Sequence, residues 1–513
     1  MNQTIAVVVV CCTAALFAVL IPFATHRSWL LWMSRRARAA IREPWPEESL
    51  PFVTVQIPLY NERAVAGRVI DACAALSYPS SRLEIQVLDD SDDDTATIVA
   101  EHVRAWRLRG VDIHHVRRSS RSGFKAGALA HGMTLAHGEF VLIFDADFVP
   151  DPDVLRRLLA PMQDASVGMV QAAWSHLNRN QNGLTRAQAF LLDGHFLFEQ
   201  GGRYAGHRFF NFNGTAGLWR RACLEAAGGW RADTLTEDLD LSYRAQMAGW
   251  SFVYLDDVHV PAEVPDRVEA LHIQQRRWAQ GGVQTGRLVL PRLLRGAFPR
   301  AIKVEAVVHL LGHLAHPLTW ALGILLFPSA VARRVLGLEY LLPLDLFLFG
   351  AATVPFLVFY WVAGERRGVP RRGRLRSVVG TLTVGIGLSV PVSLAVLRGL
   401  LRVETPFERT PKRGTARQRS YSPNGRLVEA GLQGLMVVLL SGYLVAAIAG
   451  AFWGQIPFIL LFLAGYARLG VPALLHATRP REAVEEQPSD HRGPEEPSEP
   501  NGLRPRSEIA VVG

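Results

Sequence analysis

Cysteine is scarce in this sequence: Cys11, Cys12, Cys73 and Cys223 are the four among 513 residues. Their spacing fits neither a disulfide framework nor a zinc ligand set, so they read as small apolar fillers in a reducing compartment. No recognition motif for nucleic acid accompanies the net charge of +9, and nucleic acid is not an expected partner. The arginines cluster beside apolar segments instead, as they do on the cytoplasmic flanks of membrane helices. A positive stretch ahead of the first apolar run is also missing, which argues against a cleaved signal peptide. What is abundant is apolar surface: 49% of residues are hydrophobic and the mean hydropathy is positive, so membrane segments are expected.

Residues 5–23 form a run without charge, followed by Arg35, Arg36, Arg38 and Arg42. The run is long enough to span a bilayer, and the arginines put its C-terminal side in the cytoplasm. Residues 1–34 are therefore expected to be an uncleaved anchor with its N-terminus outside.

The character changes over residues 51–265. Short apolar runs at 53–58, 84–88 and 140–144, separated by polar segments of helix length, predict βαβ units and a mostly parallel sheet. Ligands of such sheets bind at the carboxyl ends of the strands. There the sequence sets Pro58-Leu59-Tyr60-Asn61-Glu62, Asp89-Asp90-Ser91 and Asp145-Ala146-Asp147. Two carboxylates one residue apart at a strand end suit Mg²⁺ or Mn²⁺, which take one or two protein carboxylates and complete their shell with substrate phosphates. A solvated acidic turn is the plain alternative, as helix starts are for Asn61-Glu62, for Asp89-Asp90 and for Thr236-Glu237-Asp238, where Thr236 would be the N-cap. Small residues around Lys125 in 121–127 would let that cation approach an anionic ligand. On a helix over 268–284, Gln274, Arg277 and Trp278 share one face. Trp278 could stack on a sugar ring, Arg277 could meet a pyrophosphate and Gln274 could bond either. Trp278 and Arg276 could equally sit among lipid headgroups. His272 packs or caps.

Taken in order, these motifs resemble the membrane-integrated family 2 glycosyltransferases that include cellulose synthase and the cellulose synthase-like glucomannan synthases. Asp89-Asp90 resembles the first aspartate motif, Lys125-Ala126-Gly127-Ala128-Leu129 the lysine segment, and Asp145-Ala146-Asp147 the metal motif. Phe212 to Gly217 resembles the acceptor-side loop, Thr236-Glu237-Asp238 the catalytic acid cluster, and Gln274 to Trp278 the QxxRW signature. The resemblance implies an α/β GT-A (Rossmann-like) cytoplasmic domain between an N-terminal transmembrane helix and a C-terminal helical membrane region. It implies an inverting enzyme that moves a hexose from UDP-glucose or GDP-mannose to a growing polysaccharide. In that reading Asp238, beside Glu237, is the general base. Asp89 or Asp90 holds the base of the donor, while Lys125, Asp145, Gln274, Arg277 and Trp278 hold the rest. Asn213, Gly214, Thr215 and Trp278 face the acceptor, and Asp145 and Asp147 carry the metal. Two alternatives remain: transfer of one sugar to ceramide or diacylglycerol, and an inactive export partner that retains these residues.

Residues 266–303 are expected as interfacial helices and 304–476 as membrane helices, with spans at 304–327, 341–362, 427–449 and 452–469. His309, His313 and His316, at i, i+4 and i+7 of the first span, form a polar stripe facing a channel or lipid. Residues 377–400 raise a parity problem, because a single crossing would put the basic segment 402–419 outside. That segment contains Phe407 to Lys412, which resembles the FxxTxK gating loop of cellulose synthases and implies that Thr410 and Lys412 cover the donor. Gly385, Gly387 and Pro391 interrupt 377–400, so a bent or re-entrant segment is expected. The tail over 477–513, rich in Glu, Pro and Ser, is expected to be disordered. The protein is thus expected in the inner (plasma) membrane, with membrane lipids around it and any export partners unidentified. The extra N-terminal helices and the C-terminal regulatory domain of bacterial cellulose synthase have no counterpart in the sequence, so cyclic-dinucleotide control is not expected.

Overall fold

The computed structural model describes residues 1–36, 43–403, 408–410 and 423–478. Arg38, Arg42, Phe407, Lys412 and the tail beyond Thr478 lie outside the described residues. Residues Met1–Ala477 make one compact unit.

Helix α1 (Gln3–Ser34) precedes the sheet layer. Strands β1 (Val53–Leu59), β2 (Leu83–Asp89), β3 (Ile113–Val116), β4 (Phe140–Ile143), β5 (Val167–His176), β6 (Gly217–Arg220) and β7 (Ser251–Ala262) form one sheet in the order β3-β2-β1-β4-β6-β5-β7. Every neighbouring pair is parallel except the two that involve β6, which runs antiparallel to β4 and β5. The helices of this layer are α2 (Ala66–Ala74), α3 (Thr95–Arg107), α4 (Phe124–Leu135), α5 (Val154–Leu159), α6 (Gly183–Gly194), α7 (Gly201–Ala205), α8 (Arg221–Ala226) and α9 (Glu237–Met247). A π-helix over His195–Gln200 joins α6 to α7.

β2 and β4 are buried along their whole length and β1 almost so, as parallel strands covered on both faces must be. β4 is accordingly apolar throughout, whereas in β1 and β2 the apolar residues alternate with Thr54, Gln56, Glu84 and Gln86, whose side chains hydrogen-bond across the two strands. Register aligns their ends: Leu59 pairs with Asp89, and Gln56 with Ile143. The polar residues that follow each strand consequently emerge side by side.

The remaining helices are α10 (Val268–Arg295), α11 (Arg300–Leu310), α12 (Ala315–Val335), α13 (Leu342–Arg366), α14 (Arg371–Gly387), α15 (Ser389–Leu400), α16 (Pro423–Ala449) and α17 (Ile456–Thr478). Among the described residues, five segments are long and apolar enough to cross a membrane: Gln3–Ser34, Gly312–Val335, Glu339–Arg366, Leu427–Ala449 and Trp453–Leu475. The span expected over 304–327 is corrected. The chain breaks between α11 and α12 through a turn at Gly312–Leu314, so the apolar segment begins at Gly312 and ends at Val335. His309 closes α11 while His316 opens α12, and the three histidines do not share one continuous helix. Helices α14 and α15 are bent by 46°, in keeping with the glycines that interrupt this run.

Candidate active site

The strand ends, α10 and the membrane helices enclose a cavity of about 520 Å³. Tyr60, Glu62, Asp90, Lys125, Asp145 and Asp147 line one end. Glu237, Asp238, Gln274, Arg277 and Trp278 line the middle, and His26, Arg27, His309, His313 and His316 the other end.

Lys125 sits in the first turn of α4, where the backbone leaves a left-handed pair, Gly123 and Phe124. Its Nζ donates to Asp145 Oδ1 at 2.5 Å and to the Gly214 carbonyl at 2.8 Å. Burial would lower the ammonium, but Asp145, Glu237 and Asp238 outweigh it and raise its pKa. Gly127 is obligatory here, since a Cβ would stand 2.0 Å from the Ser122 carbonyl oxygen.

Of the adjacent aspartates, only Asp90 faces the cavity, its carboxylate held by the Arg118 fork at 2.8 and 2.6 Å. Asp89 is buried behind it, accepting from Ser91 N–H at 2.9 Å and lying 2.8 Å from His115 Nε2. Arg121 lies over the Tyr60 ring at 3.3 Å. Asp145 presents its carboxylate beside Lys125, while its own N–H donates to Thr215 Oγ1 at 2.9 Å. Thr215 is therefore behind the wall rather than in it; Asn213 and Gly214 line the cavity. Asp147 is also buried.

Glu237 and Asp238 open α9, but Thr236 makes no side-chain cap. This corrects the expected N-cap: Thr236 Oγ1 instead lies 3.2 Å from Thr285 Oγ1 of α10. Gly281 packs on Thr236, and Gln284 accepts from Leu235 N–H at 3.0 Å. One face of α10 thereby fixes the acid cluster beside Gln274, Arg277 and Trp278. Burial and the neighbouring Glu237 push the Asp238 carboxyl up to about 7, with Lys125, the Leu239 N–H and Arg277 pulling the other way. That is the range expected of a general base working near neutrality.

Arg276 does not reach headgroups. It is buried, paired with Glu429 of α16 at 2.5 Å and with Glu408 at 3.5 Å. His272 is buried, and burial depresses its pKa to about 3. His309 Nδ1 lies 2.9 Å from the Tyr243 hydroxyl, and His313 and His316 are stacked at 6.3 Å. Thr410 also lines the cavity.

Sequence reading missed several wall residues. His26 and Arg27 enter from α1, and Glu199 and Arg203 from the π-helix region. Their signal was available for α1, because a charge within an apolar helix faces a protein interior or cavity.

Among the described residues no group of three or more His, Cys, Asp or Glu side chains could hold a metal ion. Asp145 and Asp147 nevertheless fit a hard cation that draws its remaining ligands from substrate phosphates. The lysine on Asp145 marks that carboxylate as a cation partner.

A family model described as "Glycosyltransferase like family 2" matches residues 51–281. The chain is 37% identical over 369 residues to Glucomannan 4-beta-mannosyltransferase 2 of Arabidopsis thaliana, covering 66% of this chain and 69% of that protein. It is 38% identical over 342 residues to Glucomannan 4-beta-mannosyltransferase 1 of Oryza sativa subsp. japonica, covering 62% and 64%. In fold it resembles the mannosyltransferase PcManGT from Pyrobaculum calidifontis, solved in complex with GDP-Man and Mn²⁺. The TM-score is 0.51 at 22% identity, over 77% of this chain and 100% of that one.

Proposed function

Because the chain belongs to glycosyltransferase family 2 and is a GT-A glycosyltransferase with cellulose synthase-like relatives, we propose that it moves mannose or glucose from a nucleotide sugar, with inversion, onto a growing β-linked polysaccharide. The observation that carries this reading is the single cavity, which runs from the strand ends past Asp238 and Trp278 to α1 and α12. A donor fits the acidic and cationic end, and the other end gives an acceptor chain a path among polar side chains.

Asp145 and Asp147 would hold Mg²⁺ or Mn²⁺, which when bound offsets charge developing on the leaving diphosphate. Lys125 and Arg277 add fixed positive charge to the same group. The acceptor hydroxyl oxygen attacks the anomeric carbon as the bond from that carbon to the phosphate oxygen breaks. The nucleoside diphosphate leaves with the electron pair. The hydroxyl proton passes to the Asp238 carboxylate, and Trp278 supports the acceptor ring by stacking. Asp90 is the candidate contact for the donor base, and Asn213 and Gly214 shape the acceptor side.

Transfer of a single sugar to a lipid is not favoured, since the relatives are named glucomannan 4-beta-mannosyltransferases. The deciding experiment supplies radiolabelled GDP-mannose and UDP-glucose separately to membranes containing the protein. Label in a polymer that stays at the chromatographic origin is expected; label confined to the organic phase would mean a glycolipid product.

A further inference from the structure

Arg409 and Thr410 line the cavity, and Glu408-Arg409-Thr410 is fixed from both sides. Glu408 lies against Arg276, which is ion-paired with Glu429. Arg409 reaches the other way, to the end of β1. Its Nε is 2.9 Å from Glu62 Oε1, and its Nη1 donates to the Tyr60 carbonyl at 3.2 Å and to the Asn61 carbonyl. The Asn61 backbone adopts a left-handed φ of 55°. Three bonds across to the segment after β2 hold it there: Asn61 N–H to Ser91 Oγ at 2.8 Å, Nδ2 to Asp92 Oδ1 at 2.7 Å, and the Asp92 N–H to Asn61 Oδ1 at 3.0 Å.

This anchoring leaves one side of the guanidinium unused. The Arg409 side chain is 8% exposed, yet among the described residues its Nη2 has no hydrogen-bond partner, and neither has the buried Thr410 Oγ1. Both residues line the cavity, at the end that also holds Lys125 and Arg121. A buried donor without an acceptor is costly, and a guanidinium is matched to phosphate oxygens.

We propose that Arg409 is a donor-binding residue: held by Glu62 and the β1 carbonyls, it presents Nη2 to the diphosphate of the nucleotide. This rests on the glycosyltransferase reading above and adds a contact to it. Its rival is a strut that only ties Glu408-Arg409-Thr410 to the sheet.

The test uses the full chain in detergent micelles, with GDP and UDP titrated calorimetrically in the presence of Mn²⁺, so that no turnover is needed. Arg409→Gln should weaken the nucleotide that the wild type binds by about tenfold or more, and Arg409→Lys by less, because a point charge replaces the fork. The charge swap Glu62→Arg with Arg409→Glu restores an ion pair but sets a carboxylate against the diphosphate, so binding should stay weak. Wild-type affinity in Arg409→Gln, or its recovery in the swap, overturns the proposal in favour of the strut. Should Arg409→Gln fail to fold, Arg409→Lys decides, and unchanged affinity there overturns it too. A wild-type chain that binds neither nucleotide overturns the donor reading itself, and this contact with it.

Discussion

Lys125 Nζ stands 2.5 Å from Asp145 Oδ1, so the cation proposed to meet the leaving group is already paired with a carboxylate proposed to hold the metal. Donor and metal must therefore redistribute this pair on binding. Lys125→Ala should lower kcat/KM for the donor by about 10²-fold, the typical loss for one fixed electrostatic contact to a developing charge. In the absence of donor the same variant should bind Mn²⁺ more tightly, because Asp145 loses its competing partner. A kcat/KM within twofold of wild type would remove Lys125 from the site.

The proposed role of Asp238 as the base sets a pH dependence. Its carboxyl titrates near 7 through burial and the adjacent Glu237, and a base must be ionised to accept a proton. Turnover at saturating donor should thus rise as pH increases through about 7 and level off above it. Asp238→Asn should reduce turnover by about 10²- to 10⁴-fold while leaving nucleotide affinity near wild type. The stability consequence has the opposite sense. A carboxyl whose folded pKa exceeds its unfolded value of 3.8 favours the folded state at low pH, and that contribution is lost as pH rises through the folded value. Asp238→Asn should therefore melt higher than wild type at pH 8 and not at pH 4.

Gly214 packs its backbone directly against the acid cluster. It has φ 79°, and a Cβ there would stand 3.0 Å from Asp238 Oδ2 and 3.5 Å from Lys125 Nζ. Gly214→Ala adds left-handed strain of about 1 kcal/mol, which the fold can absorb. It also displaces Asp238 and Lys125, the two charged groups proposed to act in turnover, so kcat should fall by about 10²-fold, the cost of a misplacement near 1 Å. Steady-state rates beside a melting curve separate the two effects; a large loss of melting temperature with normal kcat would contradict this account.

The strand ends were legible because the buried strands leave short, largely apolar runs, each followed by a cluster of polar residues. Asp90 and Asp145 were singled out this way and Asp238 by the Thr236-Glu237-Asp238 motif at a helix start, whereas Asp89 and Thr215 were not separable from their neighbours: which one faces the cavity depends on the Arg118–Asp90 and Thr215–Asp145 bonds. The break between α11 and α12 was hidden because apolar character continues across it. What fixes it is distant, notably Tyr243 on His309 and the buried pairing of Glu305 with His26 and Arg203. Arg276 looked like an interfacial residue because its partners, Glu408 and Glu429, lie more than a hundred residues further along the chain.

The Arg276–Glu429 pair supplies the last prediction. Both side chains are buried, at 9% and 4% exposure, and Arg398 also approaches Glu429 at 3.6 Å. Removing one member leaves charge without its partner in a poorly solvated place, which costs about 3–5 kcal/mol, whereas replacing both by apolar residues of similar size is often neutral. Glu429→Leu should accordingly lower the apparent melting temperature by several degrees, and adding Arg276→Met should recover most of the loss. Because Arg276 also meets Glu408, the double variant should fold normally yet hold Thr410 less firmly, raising KM for the donor with little change in its melting curve. Equal destabilisation by the single and double variants would show that packing, not charge pairing, is what α10 and α16 exchange at this point.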